Sequence, residues 1–364
     1  WMRPSKRHIG ILFQPATGYV LYQPVGVVGI VVPWNYPLFL AIGPLCQALA
    51  AGNRVMLKMS EYTPEFSALF KQLIAQAFPE DLVCVVNGDA EVAQQFTQLP
   101  FNHLLFTGAS EVGKHVMRAA ANNLTPVTLE LGGKSPALVL ADANIRESAR
   151  RIAFGKAMNA GQTCVAPDYV LIPAPLQAQF IEEYSSTIQE FFPKLADNPD
   201  YTAIINERQL NRLNSYIEDA TAKNATVNVI TEPSSGRRLA HYVLSNVTDD
   251  MQVMQNEIFG PLLPIVTYQQ LEEAIDYINQ RPRPLALYYF GYNKSEQLVH
   301  VGQEDLPFGG VGTSGMGNYH GYEGFVTFSH AKAVFNRPKF SLMYLFYPPY
   351  GTFIQKQIKK MFIR

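Results

Sequence analysis

The sequence predicts a doubly wound α/β protein of two domains, on three observations. Its 364 residues exceed what one ordinary domain needs. From Pro24 onward, β-rich runs alternate with helical patterns, the mark of a parallel sheet covered on both faces. Finally, 48% of the residues are hydrophobic, ample for a core and unlike a disordered chain.

Taken in order, residues 9–23 read as a β-hairpin, with runs at 9–13 and 19–23 joined through Pro15-Ala16-Thr17-Gly18. The stretch 27–32 is β-branched and broken only by Gly29, as suits a strand buried on both faces. A helix follows over 37–51, with Pro37 in its first turn and Gly52 at its end. The alternation continues as strand 55–57, helix 64–78, strand 82–86, helix 89–97, strand 103–106, helix 110–122 and strand 127–131.

A second block spans 135–303. It opens with strand 137–140 and a helix capped by Asn144. Helices at 175–192 and 207–223 and strands at 262–267 and 285–290 follow. A glycine-dense loop occupies 307–317, and 325–336 reads as a late strand region. The tail, 353–364, is amphipathic: Ile354, Ile358 and Met361 share a face edged by Phe362, opposite Lys356, Lys359 and Lys360. The expected divisions are 1–23, 24–134, 135–324 and 325–364.

Composition narrows the function. A formal net charge of −1 offers no field to steer the chain onto nucleic acid. No apolar run has the length of a membrane span, and the N-terminus lacks the layout of a signal peptide. Trp1 opens the chain with a strand-like run close behind, which points to a fragment. Cys46, Cys84 and Cys164 are too few and scattered for a disulfide framework or a zinc site, so no metal is expected. A reducing, cytoplasmic setting follows.

Several segments offer chemistry. Asn159-Ala160-Gly161-Gln162-Thr163-Cys164 puts a cysteine in a small-residue loop after a helix. Such a loop can supply backbone donors and lower a thiol pKa; the alternative is an inert buried cysteine, which suits Cys46 and Cys84 in their apolar runs. Glu130 ends an apolar strand before Leu131-Gly132-Gly133-Lys134, where open α/β sheets bind ligands. It can act as a general base, or simply pair with Lys134. Asn35, in Pro33-Trp34-Asn35-Tyr36-Pro37, can donate to an oxyanion or cap the next helix. Gly108, Ser110 and Gly113 lie on a strand–turn–helix suited to phosphate, although this spacing is not the common dinucleotide fingerprint. Lys58-Met59-Ser60-Glu61 offers ribose a cation and a carboxylate, or is a solvated turn. Asn256-Glu257-Ile258-Phe259-Gly260-Pro261 reads by itself as a loop with a packed Phe.

Together and in this order, these segments, with Pro307 to Gly310, resemble the aldehyde dehydrogenase superfamily over nearly the whole chain. Pro-Trp-Asn-Tyr-Pro, Asn-Ala-Gly-Gln-Thr-Cys-Val-Ala-Pro-Asp-Tyr and Tyr347-Pro348-Pro349-Tyr350 are most similar to its class 3 branch and, within it, to the bacterial coniferyl-aldehyde dehydrogenases. The resemblance implies two Rossmann-like domains, NAD-binding (24–134) and catalytic (135–324). The hairpin at 1–23 and the strand region of 325–364 would form a small β oligomerisation element, and the assembly a homodimer.

By the same resemblance Cys164 is the nucleophile, Asn35 and the Cys164 N–H form the oxyanion hole, and Glu130 is the hydrolytic base. Lys58 and Glu61 would hold the adenosine ribose, with Gly108, Ser110 and Gly113 at the pyrophosphate. Leu131, Gly132, Glu257, Phe259 and Trp34 would surround the nicotinamide half. The implied reaction oxidises an aldehyde, aromatic such as coniferyl aldehyde or long-chain aliphatic, to its acid through a thiohemiacetal and a thioester. NAD is favoured over NADP because Glu61 repels a 2′-phosphate, although class 3 relatives often take both. A coenzyme A-acylating reading is opposed by Glu130.

Four departures from the pattern stand out. An N-terminal helical segment is missing, which would expose apolar surface on the first domain. A Ser-Gly-Gly-Val-x-x-Asn strand is missing between Gln297 and Glu304. Ala109 replaces a phosphate-binding Ser, and Met59 replaces a Pro. They keep open, as the alternative, a catalytically impaired or non-catalytic member of the fold acting as a structural or binding protein. The basic tail is a lid, a dimer contact or a weak peripheral membrane contact.

Overall fold

A computed structural model describes residues 1–10, 13–232, 236–292, 306–338, 348 and 351–362. The expected α/β architecture is present, in two six-stranded sheets and one small three-stranded sheet.

The first sheet is built from β-branched runs that have no polar face to show to water. Its first five strands are β3 (Val27–Val31), β4 (Arg54–Lys58), β5 (Val83–Val86), β6 (His103–Thr107) and β7 (Val127–Glu130), all paired in parallel. Val28, Ile30, Leu57 and Leu104 are fully buried in it, each worth roughly 1.5–3 kcal/mol over exposure. Helices α1 (Pro37–Ala50), α2 (Pro64–Ala77), α3 (Ala90–Thr97) and α4 (Ser110–Ala121) connect these strands. Pro37 and Pro64 start α1 and α2 with the fixed φ of a first helical turn, and Asp89 caps α3 by accepting from the N–H groups of Glu91 and Val92.

The second sheet contains β8 (Pro136–Val139), β9 (Tyr169–Pro173), β10 (Thr226–Val229), β11 (Tyr242–Ser245), β12 (Leu262–Tyr268) and β13 (Tyr288–Phe290), in the order β10-β11-β12-β9-β8-β13. Only the β10–β11 pair is antiparallel. The associated helices are α5 (Ile145–Ala157), α6 (Gln177–Phe191), α7 (Glu207–Ala222), α8 (Gln252–Gln255) and α9 (Leu271–Asn279). Asn144 does cap α5, accepting from the Glu147 N–H at 3.1 Å.

The small sheet joins β1 (Ser5–Arg7), β2 (Thr17–Pro24) and β15 (Ser329–Asn336) in antiparallel register. Before β15, strand β14 (Gly315–Met316) runs antiparallel to β7, and helix α10 (Gly321–Thr327) lies on α1. The tail forms α11 (Phe353–Phe362).

Several sequence expectations change. The first hairpin strand is Ser5–Arg7, not 9–13, because Gly10, Phe13 and Ala16 commit backbone groups to turn hydrogen bonds, Phe13 N to Gly10 O and Ala16 N to Phe13 O; residues 11–12 lie outside the described residues. The last strand of the second sheet begins at Tyr288 rather than 285. Residues 325–327 finish a helix, and the strand starts at Ser329. Gly315–Met316 pairs with the first sheet, so the 135–324 block does not belong wholly to the second. Cys46 is exposed and Cys84 half-buried, because both face away from the interior side of their elements. The place where the Ser-Gly-Gly-Val-x-x-Asn strand is missing falls outside the described residues. Apolar surface is exposed on the first domain, at Leu38, Phe39, Leu69 and Leu73.

Candidate active site

Cys164 follows α5 through a short 3-10 turn, Met158–Gly161, whose backbone is unusual. Asn159, Ala160 and Gly161 have φ of 52°, 53° and 74° in succession, a region that non-glycine residues seldom enter. Hydrogen bonds hold the turn there. Asn159 Nδ2 donates to Asn35 O and Gln162 O, both at 3.2 Å, and Gln162 Nε2 donates to Asn159 O and Ala203 O, both at 3.1 Å. A side chain at Gly161 would also overlap the carbonyl of Gly260. The turn is thereby locked against both the β3–α1 connection and the loop that carries Glu257.

Asn35 does not cap α1. The N-cap residue is Tyr36, which makes no side-chain cap, and Asn35 Nδ2 donates to Gln162 O at 3.2 Å, two residues before Cys164. The Tyr36 hydroxyl adds a 2.7 Å bond to Thr163 Oγ1. Glu130 ends β7 with 3% of its surface exposed, and neither carboxylate oxygen has a hydrogen-bond partner among the described residues. Lys134 does not pair with it; its ammonium goes to Asp168. Burial without a partner pushes the Glu130 carboxyl up to about 9.

Glu257 supplies a second buried carboxyl to the same site. One of its oxygens is buried and without a partner among the described residues, and a side chain on Gly132 would overlap its carboxylate. Burial, then repulsion from Asp168, raises it to about 7. Cys164 is half-buried, and burial together with the Glu257 and Glu130 carboxylates pushes its thiol up to about 12. The small residues of this loop suggest a lowered thiol pKa; the site does the opposite, because burial, and after it the two carboxylates, oppose the thiolate.

A cavity of about 910 Å³ is lined by Cys164, Asn35, Glu130, Trp34, Gly108, Ser110, Leu131, Gly132, Glu257 and Phe259. Trp34 and Phe259 meet edge to face, with centroids 5.5 Å apart. The N-terminus of α4 opens onto the same space, and its N-cap residue, Ala109, makes no side-chain cap, so N–H groups there remain for an anion. Ser110 Oγ is turned to Thr313 O at 3.1 Å.

Three predicted contacts stand apart from this wall. Gly113 is buried inside α4, where its lack of a side chain admits Leu131. Lys58 is buried and donates to Met59 O at 2.7 Å and Gly88 O at 2.9 Å, and Glu61 is exposed beside the end of β4.

A second cavity, of about 870 Å³, meets the first at Asn35 and is lined by Tyr36, Leu38, Phe39, Ile42, Cys46, Phe66, His320 and Trp1. Sequence reasoning missed the residues that hold the Glu257 loop: Lys134, Asp168 and Arg212. The only signal was a lysine directly after Gly132-Gly133 and an aspartate four residues beyond Cys164.

The geometry fits a dinucleotide: an uncapped helix end for the pyrophosphate, a glycine that makes room for Glu257, and an orphaned Glu257 oxygen for a ribose hydroxyl. Comparison with known proteins agrees. The profile described as "Aldehyde dehydrogenase family" matches residues 5–334. A probable coniferyl aldehyde dehydrogenase of Pseudomonas aeruginosa is 60% identical over 381 residues, covering 100% of this chain and 80% of its own length. The coniferyl aldehyde dehydrogenase of Pseudomonas sp. is 49% identical over 357 residues, covering 92% and 74%. Among solved structures, the substrate-bound state of Staphylococcus aureus AldH superposes with a TM-score of 0.92 at 39% identity, covering 100% of this chain and 82% of that one. A betaine aldehyde dehydrogenase of the same organism, solved with NAD+, superposes with a TM-score of 0.82 at 26% identity, covering 95% and 73%. These relatives support catalysis rather than a non-catalytic member of the fold. The chain belongs to the aldehyde dehydrogenase family and is an NAD-dependent oxidoreductase of aldehydes.

Proposed function

We propose that Cys164, Asn35 and Glu130 carry the reaction and that its substrate is an aromatic aldehyde of the coniferyl type. The observation that carries this reading is that they line one cavity with Trp34, Glu257 and Phe259, where a thiol, an amide donor and a carboxyl without a partner among the described residues face common space.

The Cys164 thiol gives up its proton to solvent and its sulfur adds to the aldehyde carbon, forming a C–S bond as the carbonyl π pair moves to oxygen. The new oxyanion accepts hydrogen bonds from Asn35 Nδ2 and the Cys164 N–H. When bound, NAD supplies a cationic ring and the acceptor for the hydride that this carbon gives up. The Cys164 thioester that remains is hydrolysed by water whose proton Glu130 takes in its ionised form, a form that gains share as pH rises toward 9, releasing the acid and the thiol. Glu257 holds a ribose hydroxyl, Gly108 and Ser110 place α4 against the pyrophosphate, and Trp34 and Phe259 shield the nicotinamide. Lys58 and Glu61 serve the adenosine ribose, Glu61 favouring NAD over NADP by repelling a 2′-phosphate.

The substrate enters through the second cavity, where Tyr36, Phe39, Phe66 and His320 suit an aromatic ring, and the names of the Pseudomonas relatives support the same class. The chain pairs as a homodimer through the sheet of β1, β2 and β15, in which β1 and β15 are the outer strands among the described residues. It works in the cytoplasm, and the lysines of α11 give it a weak peripheral contact with anionic membranes; no described helix is long and apolar enough to cross one.

Mixing the protein with NAD and coniferyl aldehyde and following NADH absorbance tests the reaction. Turnover that Cys164→Ala abolishes is expected; no NADH, with Cys164 also inert to iodoacetamide, overturns it. Equal pelleting on anionic liposomes with and without residues 353–364 removes the membrane contact.

A further inference from the structure

The loop that carries Glu257 and Phe259 runs from the end of α8 to β12 without regular structure of its own. Its backbone is nevertheless held on both sides. Lys134 Nζ donates to Val253 O at 2.8 Å and to Asn256 O at 2.9 Å, and spends its remaining N–H on Asp168 Oδ1. An ammonium has three donors, so Lys134 keeps none for a ligand even though it borders the main cavity. Asp168 Oδ2 accepts from the Ile258 N–H at 2.9 Å, between Glu257 and Phe259. Arg212 closes the other flank, donating to Glu257 O at 3.3 Å and to Ile258 O at 2.8 Å.

The ion pair is nearly buried, with 14% of the Lys134 side chain and 4% of Asp168 exposed. Pairs so buried add little net stability, because desolvation cancels much of their attraction; what they fix is geometry. Here the geometry links three chain segments. Lys134 lies four residues after Glu130, Asp168 lies four after Cys164, and both grip the Glu257 loop. The Asp168 N–H, bound to Ser135 O at 2.8 Å, ties the first two segments directly.

We propose that the Lys134–Asp168 pair is a positioning device that sets the Glu257–Phe259 loop against Cys164 and Glu130, and so controls cofactor binding and hydride transfer without touching substrate. This rests on the reading of Glu257 and Phe259 as cofactor contacts. It also predicts an asymmetry: an activated ester acylates Cys164 and is cleared by Glu130 with no hydride step, so ester turnover depends far less on this loop.

The experiment compares wild type, Asp168→Asn, and the double variant Lys134→Met with Asp168→Asn, which removes both charges and leaves neither stranded. NAD Kd, KM and kcat for coniferyl aldehyde, cofactor-free turnover of p-nitrophenyl acetate and the melting temperature are measured. Misplacing the loop by about an ångström is expected to weaken NAD binding and to cut dehydrogenase kcat, together by about 10²-fold, and at least about tenfold more than ester turnover. Wild-type NAD affinity in the folded double variant overturns the proposal, as does an equal loss of both activities. A wild type that binds NAD yet oxidises no aldehyde overturns the proposed reaction instead, and the affinity comparison still decides the device; a wild type that does not bind NAD overturns both.

Discussion

Asn35 Nδ2 donates to Gln162 O at 3.2 Å, so the proposed oxyanion donor and the nucleophile's own turn are joined before any substrate arrives. The amide therefore starts near its working position and only has to exchange one oxygen acceptor for another. Asn35→Ala is expected to lower kcat by roughly 10²–10³. The same variant should still be alkylated at Cys164. Steady-state rates with iodoacetamide labelling check both, and an unchanged kcat would remove Asn35 from the oxyanion hole.

The pH dependence of Cys164 follows from its surroundings. With the thiol held up at about 12, little thiolate exists at neutral pH without cofactor. Iodoacetamide inactivation should rise about tenfold per pH unit from 7 to 10, with no plateau near the ordinary cysteine value. NAD, by bringing a positive ring, should speed the reaction at pH 7. A plateau by pH 9 in the free protein would contradict the prediction.

Glu130 makes a stability prediction whose sign is fixed by the direction of its shift. Its folded value, about 9, lies above the ordinary carboxyl value of 4.5, so between these the folded chain keeps a proton that the unfolded chain has lost. Its contribution is fully present below the ordinary value and is lost as pH rises toward 9, by up to about 1.4 kcal/mol per unit. Glu130→Gln should flatten the fall of the urea midpoint between pH 5 and 8. It should also slow thioester hydrolysis by about 10²–10⁴-fold, leaving one burst of NADH per site.

Gly132→Ala tests the fit between two segments of the cofactor cavity. The new methyl group must displace the Glu257 carboxylate, because the two would overlap. NAD Kd measured by fluorescence should rise about tenfold or more, the loss of roughly one hydrogen bond to a charged group. Wild-type affinity would mean that Glu257 does not hold the cofactor.

Legibility in the sequence followed the range of the physics involved. Strands such as Val27–Val31 and His103–Thr107 were readable because burial on both faces writes a continuous apolar run into a short stretch. Ser5–Arg7 was not, since three polar residues become a strand only by pairing with Gly18 to Val20. Asn35, Glu130 and Cys164 were visible as strand and helix ends with the right chemistry, and the cavity does bring them together. The Lys134–Asp168 pair was invisible because its members are 34 residues apart and meet only in the folded chain. The raised Cys164 thiol was missed for the same reason: burial and two distant carboxylates set it, whereas the loop's small residues suggested the reverse.

The short strand Gly315–Met316 sets the order in which the centre can be assembled. Glu130 sits opposite Gly315, and Leu131 N donates to Ser314 O at 3.1 Å, so the outer edge of β7 stays open until residues near the far end of the chain have been made. The first sheet cannot be finished while the ribosome is still working through the second. A nascent chain carries Cys164 long before the residues that cover the edge of β7 have been made. A chain cut short before residue 315 would hold Cys164 and Glu130 with the outer edge of β7 uncovered beside Glu130.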